Sequence, residues 1–344
     1  MTADQHEITE PSQLLTSSGE LMQVGWARRP LLDCNLEDAS FYRLGAAQRY
    51  RIKRWDYYGV THPGGYFSAT IANLGYAGQV FIYLVDFADA SYREDTITIP
   101  FGTGVELPRN SDAGVTSYAG KRAQLSFDVT EDSRTVNVGW EPFGKHRLEA
   151  YLHFDTPSDH ESTVIVIPIE GKRFYLNRKI NCMPVTGKIT VGDEIIEIDP
   201  ATSSGNLDWG RGVWAYNSFW VWASASGFLG DGRRIGLNLG YGFGDTSAAT
   251  ENTVLLDGRI HKLGDVQFEY DNVDFMAPWQ MRSDRVELTF TPFLDRTAQT
   301  NLMVIRSEVH QMFGHYAGTV VDDGGNDVAI DGLIGWAEEH QARW

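Results

Sequence analysis

The chain has 344 residues, 42% hydrophobic and 12% aromatic, which at roughly 100–200 residues per domain suits two domains or one large barrel with a sizeable core. Its net charge of −17 and pI near 4.9 argue against nucleic acid and anionic membrane partners, because neutralising phosphates takes a basic face. The leading residues include Asp4, Glu7, Glu10 and Glu20 instead of a basic stretch and an apolar core, and no run of about 18 apolar residues follows, so the sequence predicts a cytoplasmic protein without a secretory signal or membrane insertion.

In chain order, residues 1–45 read as a polar and irregular arm; Gly25 to Leu32 has no clear period. From Tyr50 onward a period of two dominates: Phe67, Ala69 and Ile71 point one way, Ser68 and Thr70 the other. Gln79 to Phe87 is apolar enough for a strand buried on both faces. Short strands continue through 123–138, 164–169 and 190–198, then from Gly212 to the C-terminal Trp336–His340 region, with turn signals between them. No amphipathic helix longer than three turns is legible. This is an all-β pattern of barrel or sandwich type. Loop-like residues such as Gly187 and Ala201–Gly205 place an expected boundary in the region 170–205, dividing a first half at 46–185 from a second at 186–344. Cys34 and Cys182 could pair, but two cysteines make no disulfide framework in a chain this long, and two reduced thiols are the plainer reading.

The most informative segment runs from Asp208 to Trp222. Gly210 and Gly212 bracket Arg211 at a tight strand entry, and alternation then puts Trp214, Tyr216, Trp220 and Trp222 on one face. Indole and phenol groups bury large areas yet keep a donor, so such a face suits either a pocket wall or an aromatic core with satisfied donors. In the next strand Ile235, Leu237, Leu239 and Tyr241 alternate with glycines and Asn238, leaving one face nearly bare for a ligand or a bulky neighbour. Asp56, Tyr58 and His62 align in Trp55 to His62 and could serve acid–base chemistry if that face points inward; a solvated or hydrogen-bonded face is the bland alternative. Arg306, Glu308 and His310 share a face, and in the last strand Trp336, Glu338 and His340 alternate with Ala337, Glu339 and Gln341, a charged pair in an otherwise apolar strand that is either rim or site. H-E-x-x-H, clustered Cys and His, G-x-S-x-G and P-loop motifs are absent from the sequence, so neither a metal nor a cofactor is expected.

Gly25 to Leu32 (GWARRPLL), Trp55 to Val60 (WDYYGV), Asn73 to Tyr76, Asp208 to Trp214 (DWGRGVW) and Gly335 to Trp344 (GWAEEHQARW) together resemble the bacterial family DUF2804 over nearly the full length. That family is distantly similar to the calycin-type group of carotenoid 1,2-hydratases, AttH-like proteins, kievitone-hydratase-like enzymes and lipocalin-like cyclases. The resemblance implies two lipocalin-like β-barrel or sandwich halves packed together, with ligand chemistry in or between them. The leading expectation is a hydratase or cyclase acting on a small apolar or amphipathic ligand. Asp56 or Asp208 would protonate a double bond, Arg211 would hold Asp208, and Trp214, Trp220 and Trp222 would stabilise the cation, with Tyr58, Tyr216, Asn238, Tyr241 and Arg306 as further contacts and His310 as a third catalytic candidate. A non-catalytic lipid or pigment carrier and a carbohydrate-acting protein with paired carboxylates are the alternatives.

Overall fold

The computed structural model describes residues 5–40, 45–302 and 305–343. Among them, an eight-stranded and a seven-stranded antiparallel sheet enclose one core, and a nine-stranded sheet curls around another. In spatial order the eight-stranded sheet contains Gly25–Ala27, Thr163–Ile169, Arg173–Met183, Ser204–Val213, Ile52–His62, Gly65–Asn73, Ala77–Asp86 and Ser91–Pro100. The fold is all-β: two lipocalin-like halves packed together. Helical turns among the described residues are confined to two short 3-10 segments.

The expected boundary at 185/186 does not follow the sheets. Strand Val185–Val191 pairs with His146–Asp155, and Ser204–Val213 lies between Arg173–Met183 and Ile52–His62. Residues 186–213 thus complete the first half, and the chain changes sheet at 214–216.

Both faces of the eight-stranded sheet are covered, which explains its composition. All nine residues of Gly65–Asn73 are buried. Phe67, Ala69 and Ile71 enter the first core, whereas Tyr66, on the other face, packs against Phe313 and Trp336 of the second half. A strand covered on one side by apolar residues and on the other by a second sheet keeps period two in character, aliphatic against polar-aromatic, without an exposed face.

Two further features position the site. Strands Val286–Leu302 and Ile305–Val321 are 17 residues each, an extended reach of roughly 55 Å. Their turn-distal portion helps close the second core through Leu288, Phe290 and Tyr316; beyond an irregularity at Pro292/Leu294 the hairpin continues over the outer face of the first half. Asn181 locks the halves together: its Nδ2 lies 3.1 Å from Ser224 Oγ, Ala225 O and Ser226 Oγ. A Cβ on Gly236 would stand 2.5 Å from Asn181 Cβ, and one on Gly240 would overlap the Glu251 carboxylate. The glycine-stripped face therefore meets protein side chains.

Candidate functional site

Between the halves lies a cleft of about 520 Å³. One wall is the outer face of the eight-stranded sheet, with Trp55, Tyr57, Tyr83, Tyr175, Lys179 and Asp208. The opposite wall comes from the second half, with Trp220, Trp222, Glu251, Arg296, Gln311 and Glu338. Trp214, in the connection between sheets, joins the two.

The aromatic side is one continuous set of edge contacts. Trp214 meets Trp55 at 5.2 Å, Trp220 at 5.6 Å and Phe243 at 4.8 Å between ring centroids. Trp55 stacks on Tyr175 at 5.9 Å. Such contacts fix the orientation of the rings that line the cleft.

Charged groups share the lining with these rings. The Asp208 carboxylate accepts from Trp55 Nε1 at 3.1 Å, from Asn177 Nδ2, and from Lys179 Nζ at 3.3 Å. Lys179 is also 3.6 Å from Glu251 Oε2 and stands 3.7 Å from the centre of the Trp222 ring, a cation–π contact worth about 0.5–2 kcal/mol. The Trp222 indole N–H donates to Asn238 Oδ1 at 2.7 Å, and Asn238 Nδ2 donates to Glu251 O at 2.8 Å.

Glu338 forms the centre of the floor. Its strand partners are Trp222 on one side and Gln311 on the other. Trp220 Nε1 donates to Oε1 at 3.1 Å and Gln311 Nε2 to Oε2 at 3.2 Å. Burial pushes the Glu338 carboxyl up to about 7, opposed by the Trp220 N–H and by the charges of Lys179 and Arg296. Gln311 Oε1 in turn accepts from Tyr83 OH at 3.1 Å and Arg296 Nη1 at 3.2 Å. Tyr83 continues to Tyr57 at 2.7 Å, Tyr57 to Tyr66 at 2.6 Å, and Tyr66 donates to Asn206 Oδ1 at 3.1 Å. Burial raises all three phenols, so each stays a neutral donor. Beside this floor the His340 ring lies tilted against Trp220 at 4.0 Å and contacts Ser307 Oγ at 2.8 Å; burial lowers it to about 3 and keeps it neutral.

The residues singled out from sequence divide cleanly. Asp208, Trp214, Trp220 and Trp222 line the cleft, and Asn238 supports Trp222 from behind. Asp56 and Tyr58 do not reach it. They point into the first core, where Asp56 accepts from Thr116 Oγ1 at 2.7 Å and Tyr58 packs on Phe127 at 5.1 Å. Arg211 does not hold Asp208; it lies on the other face and bonds Glu37 Oε1 at 2.8 Å and Leu107 O at 3.1 Å. Tyr216 and Tyr241 are exposed, and Arg306 is an exposed partner of Glu308. His310 pairs with Asp295 at 2.9 Å and stacks on Phe275 at 4.4 Å, outside the cleft. Asp56, Asp208 and His310 therefore do not share one cavity. Lys179, Arg296, Gln311 and the tyrosine trio gave no sequence signal of their own, and Glu338 and His340 showed only as part of the alternation in the last strand, whose charged pair was read as rim or site. Among the described residues no group of three His, Cys, Asp or Glu is arranged to hold a metal, and no helix is long and apolar enough to cross a membrane. Cys34 and Cys182 are both free and buried.

A model of the domain of unknown function DUF2804 matches residues 5–344. The chain belongs to the DUF2804 family. Comparison of this DUF2804 chain with curated proteins returned no match. Among solved structures it is similar in fold to CghA with Sch210972, at a TM-score of 0.53 and 13% identity over 85% of this chain and 88% of that one. Kievitone hydratase from Nectria haematococca gives 0.48 and 12% over the same shares of the two chains. The DUF2804 chain thus shares the lipocalin-like β architecture of CghA, at an identity that speaks to fold alone.

Proposed function

We propose that the cleft is the active site of an acid-catalysed hydratase or cyclase acting on an apolar isoprenoid- or lipid-like molecule, with Glu338 as proton donor. The observation that carries this reading is the state of Glu338: a carboxyl at the cleft floor, held near 7 by burial, with both oxygens facing N–H donors. Indole and amide N–H groups cannot accept its proton. A protonated Glu338 finds no acceptor in these two donors, and in this reading a π bond of a ligand bound in the cleft takes that place.

In this scheme Glu338 transfers its proton to one carbon of a double bond, whose π electrons form the new C–H bond. The other carbon becomes cationic beside the faces of Trp214, Trp220 and Trp222, with the Asp208 carboxylate as nearby counter-charge. Water adds to the cation and returns a proton to Glu338, so the sum is alkene plus water to alcohol. In a cyclisation, a hydroxyl of the same ligand takes the place of water and returns its proton to Glu338, or a second π bond attacks and the cation it leaves loses an adjacent C–H proton to Glu338 as a new double bond forms. Asp208, already accepting from three donors, has the arrangement of a charge stabiliser rather than a proton donor. The structure of CghA with Sch210972 supports a small-molecule role for this fold.

The test is native mass spectrometry of the purified protein to identify a co-purifying ligand, followed by turnover of that ligand by wild type and Glu338→Gln. Conversion by the wild type and binding without conversion by the variant are expected. If neither protein converts a ligand that both hold, the chain is a carrier and the enzymatic reading fails.

A further inference from the structure

Both walls of the cleft run in one direction, from an aromatic end to a hydroxyl-lined end. On the first half, Lys179, Asp208, Tyr57, Thr70, Phe81 and Thr96 are successive partners on neighbouring strands. From Arg173–Met183 to Ser91–Pro100 the sheet takes five strand-to-strand steps of about 4.8 Å, so this floor is roughly 24 Å across. On the second half, Trp222, Glu338, Gln311 and Arg296 are likewise successive partners. The two rows are tied at both ends: Lys179 Nζ stands 3.7 Å from the centre of the Trp222 ring, and Arg296 Nη2 lies 2.9 Å from Glu94 Oε2. Glu338 therefore stands between the ends.

The ends differ in burial and in polarity. Tyr175 and Trp214 are buried at the aromatic end. Strand Ser91–Pro100 is the edge of its sheet, and its Thr96 and Thr98 line the cleft while exposed, so this end is the mouth. Thr98 has Gln79 as its strand partner, and Gln79 also lines the cleft. The side chains of Gln79, Thr96 and Thr98 have no hydrogen-bond partner among the described residues. The cations of the lining, by contrast, are engaged. Lys179 meets Asp208 and Glu251, Arg296 meets Glu94 and Gln311, and Lys53 donates to Leu74 O at 2.8 Å. An anionic head group would have to break one of these pairs, whereas a hydroxyl or carbonyl meets unengaged donors and acceptors at the mouth.

We propose that the ligand of this cleft is an elongated amphipathic molecule, held with its unsaturated tail among the tryptophans and an uncharged hydroxyl or carbonyl head at Gln79, Thr96 and Thr98. Apolar walls bury a chain without choosing its direction, and a few polar groups at one end supply that choice. A head fixed at the mouth also fixes which double bond lies against Glu338, so these three side chains set regiochemistry as well as affinity. The inference rests on the cleft being the ligand site proposed above, and it concerns binding alone.

The test is titration of tryptophan fluorescence of the full chain with geranylgeraniol, with geranylgeranoic acid at pH 8, and with the hydrocarbon that lacks the hydroxyl. Wild type is expected to bind the alcohol roughly tenfold more tightly than the acid anion. The triple variant Gln79→Leu, Thr96→Val, Thr98→Val is expected to lose roughly tenfold for the alcohol while the hydrocarbon stays within about twofold. Thr98→Val alone, which keeps a β-branched side chain on the edge strand, is expected to lose roughly threefold for the alcohol. The proposal is overturned if wild type binds none of the three or prefers the anion, or if the variants hold the alcohol as wild type does or lose alcohol and hydrocarbon alike. The acid role of Glu338 is read from turnover, so a loss of conversion in Glu338→Gln without any head preference sinks this inference and leaves the catalytic reading standing. Head preference with no conversion does the reverse.

Discussion

The Trp220 indole N–H donates to Glu338 Oε1 at 3.1 Å, joining the aromatic wall of the cleft to the carboxyl on its floor. The bond favours the charged carboxylate, whereas burial favours the neutral acid, and burial prevails. Trp220 thus sets how acidic the floor is as well as shaping the wall.

Replacing Trp220 with Phe keeps a ring in the wall and removes the donor. The Glu338 pKa then rises further, and the basic limb of the rate profile moves to higher pH by a few tenths to about one unit. A pH–rate profile of both proteins reads this directly; an unmoved limb shows that Trp220 does not tune the acid.

Glu338 also links stability to pH. Its folded pKa, about 7, lies above the ordinary carboxyl value of 4.5, so the folded state binds more protons than the unfolded state between those limits. Stability therefore falls as pH rises through that window, and the penalty is complete above about 7. Glu338→Gln removes the ionisation and is expected to be more stable than wild type at pH 8, by on the order of 1–3 kcal/mol, with little difference near pH 4. Denaturant melts at the two pH values check this, and a variant destabilised at both contradicts it.

Asn238 satisfies Trp222 at one end and Glu251 O at the other, while itself buried. Asn238→Leu leaves a buried indole N–H and a backbone carbonyl without those partners and is expected to lower stability by about 2–4 kcal/mol. It should also weaken ligand binding, because Trp222 loses its fixed orientation. Asn238→Leu with the wild-type melting temperature contradicts this account.

Asp56 offers a control. It is buried in the first core, where burial raises its carboxyl to about 6 and Thr116 is its hydrogen-bond partner. Asp56→Asn is expected to leave turnover within about twofold of wild type, since the side chain does not face the cleft. A loss comparable with that of Glu338→Gln would return the acid role to Asp56.

Strand parity was legible along much of the chain, and it separated Trp220 and Trp222 from Val221 correctly. What parity cannot supply is which face of a strand meets the site when both faces are covered. Asp56 and Tyr58 share a face, as do Trp55 and Tyr57, but only the stacking of the second half decides that the latter pair borders the cleft. Parity also fails where a strand is interrupted. Strand Ser204–Val213 ends before Trp214 and the next begins at Asn217, so Tyr216 turns outward although it is two residues from a lining tryptophan. Arg211, an odd number of residues from Asp208, already lay on the opposite face. The floor was hidden for a different reason: Arg296, Gln311 and Glu338 sit side by side on consecutive strands only in one register, and Lys179 comes near them only through the packing of the first half, neither of which a local pattern encodes.

The most direct test of the central claim is turnover of the co-purifying ligand in D₂O by wild type, Glu338→Gln and Asp56→Asn. If Glu338 delivers the proton, wild type and Asp56→Asn form product carrying deuterium on carbon, while Glu338→Gln retains the ligand and loses roughly 10²- to 10⁴-fold in rate. Product formed by Glu338→Gln at the wild-type rate, or product without deuterium on carbon, would contradict the account.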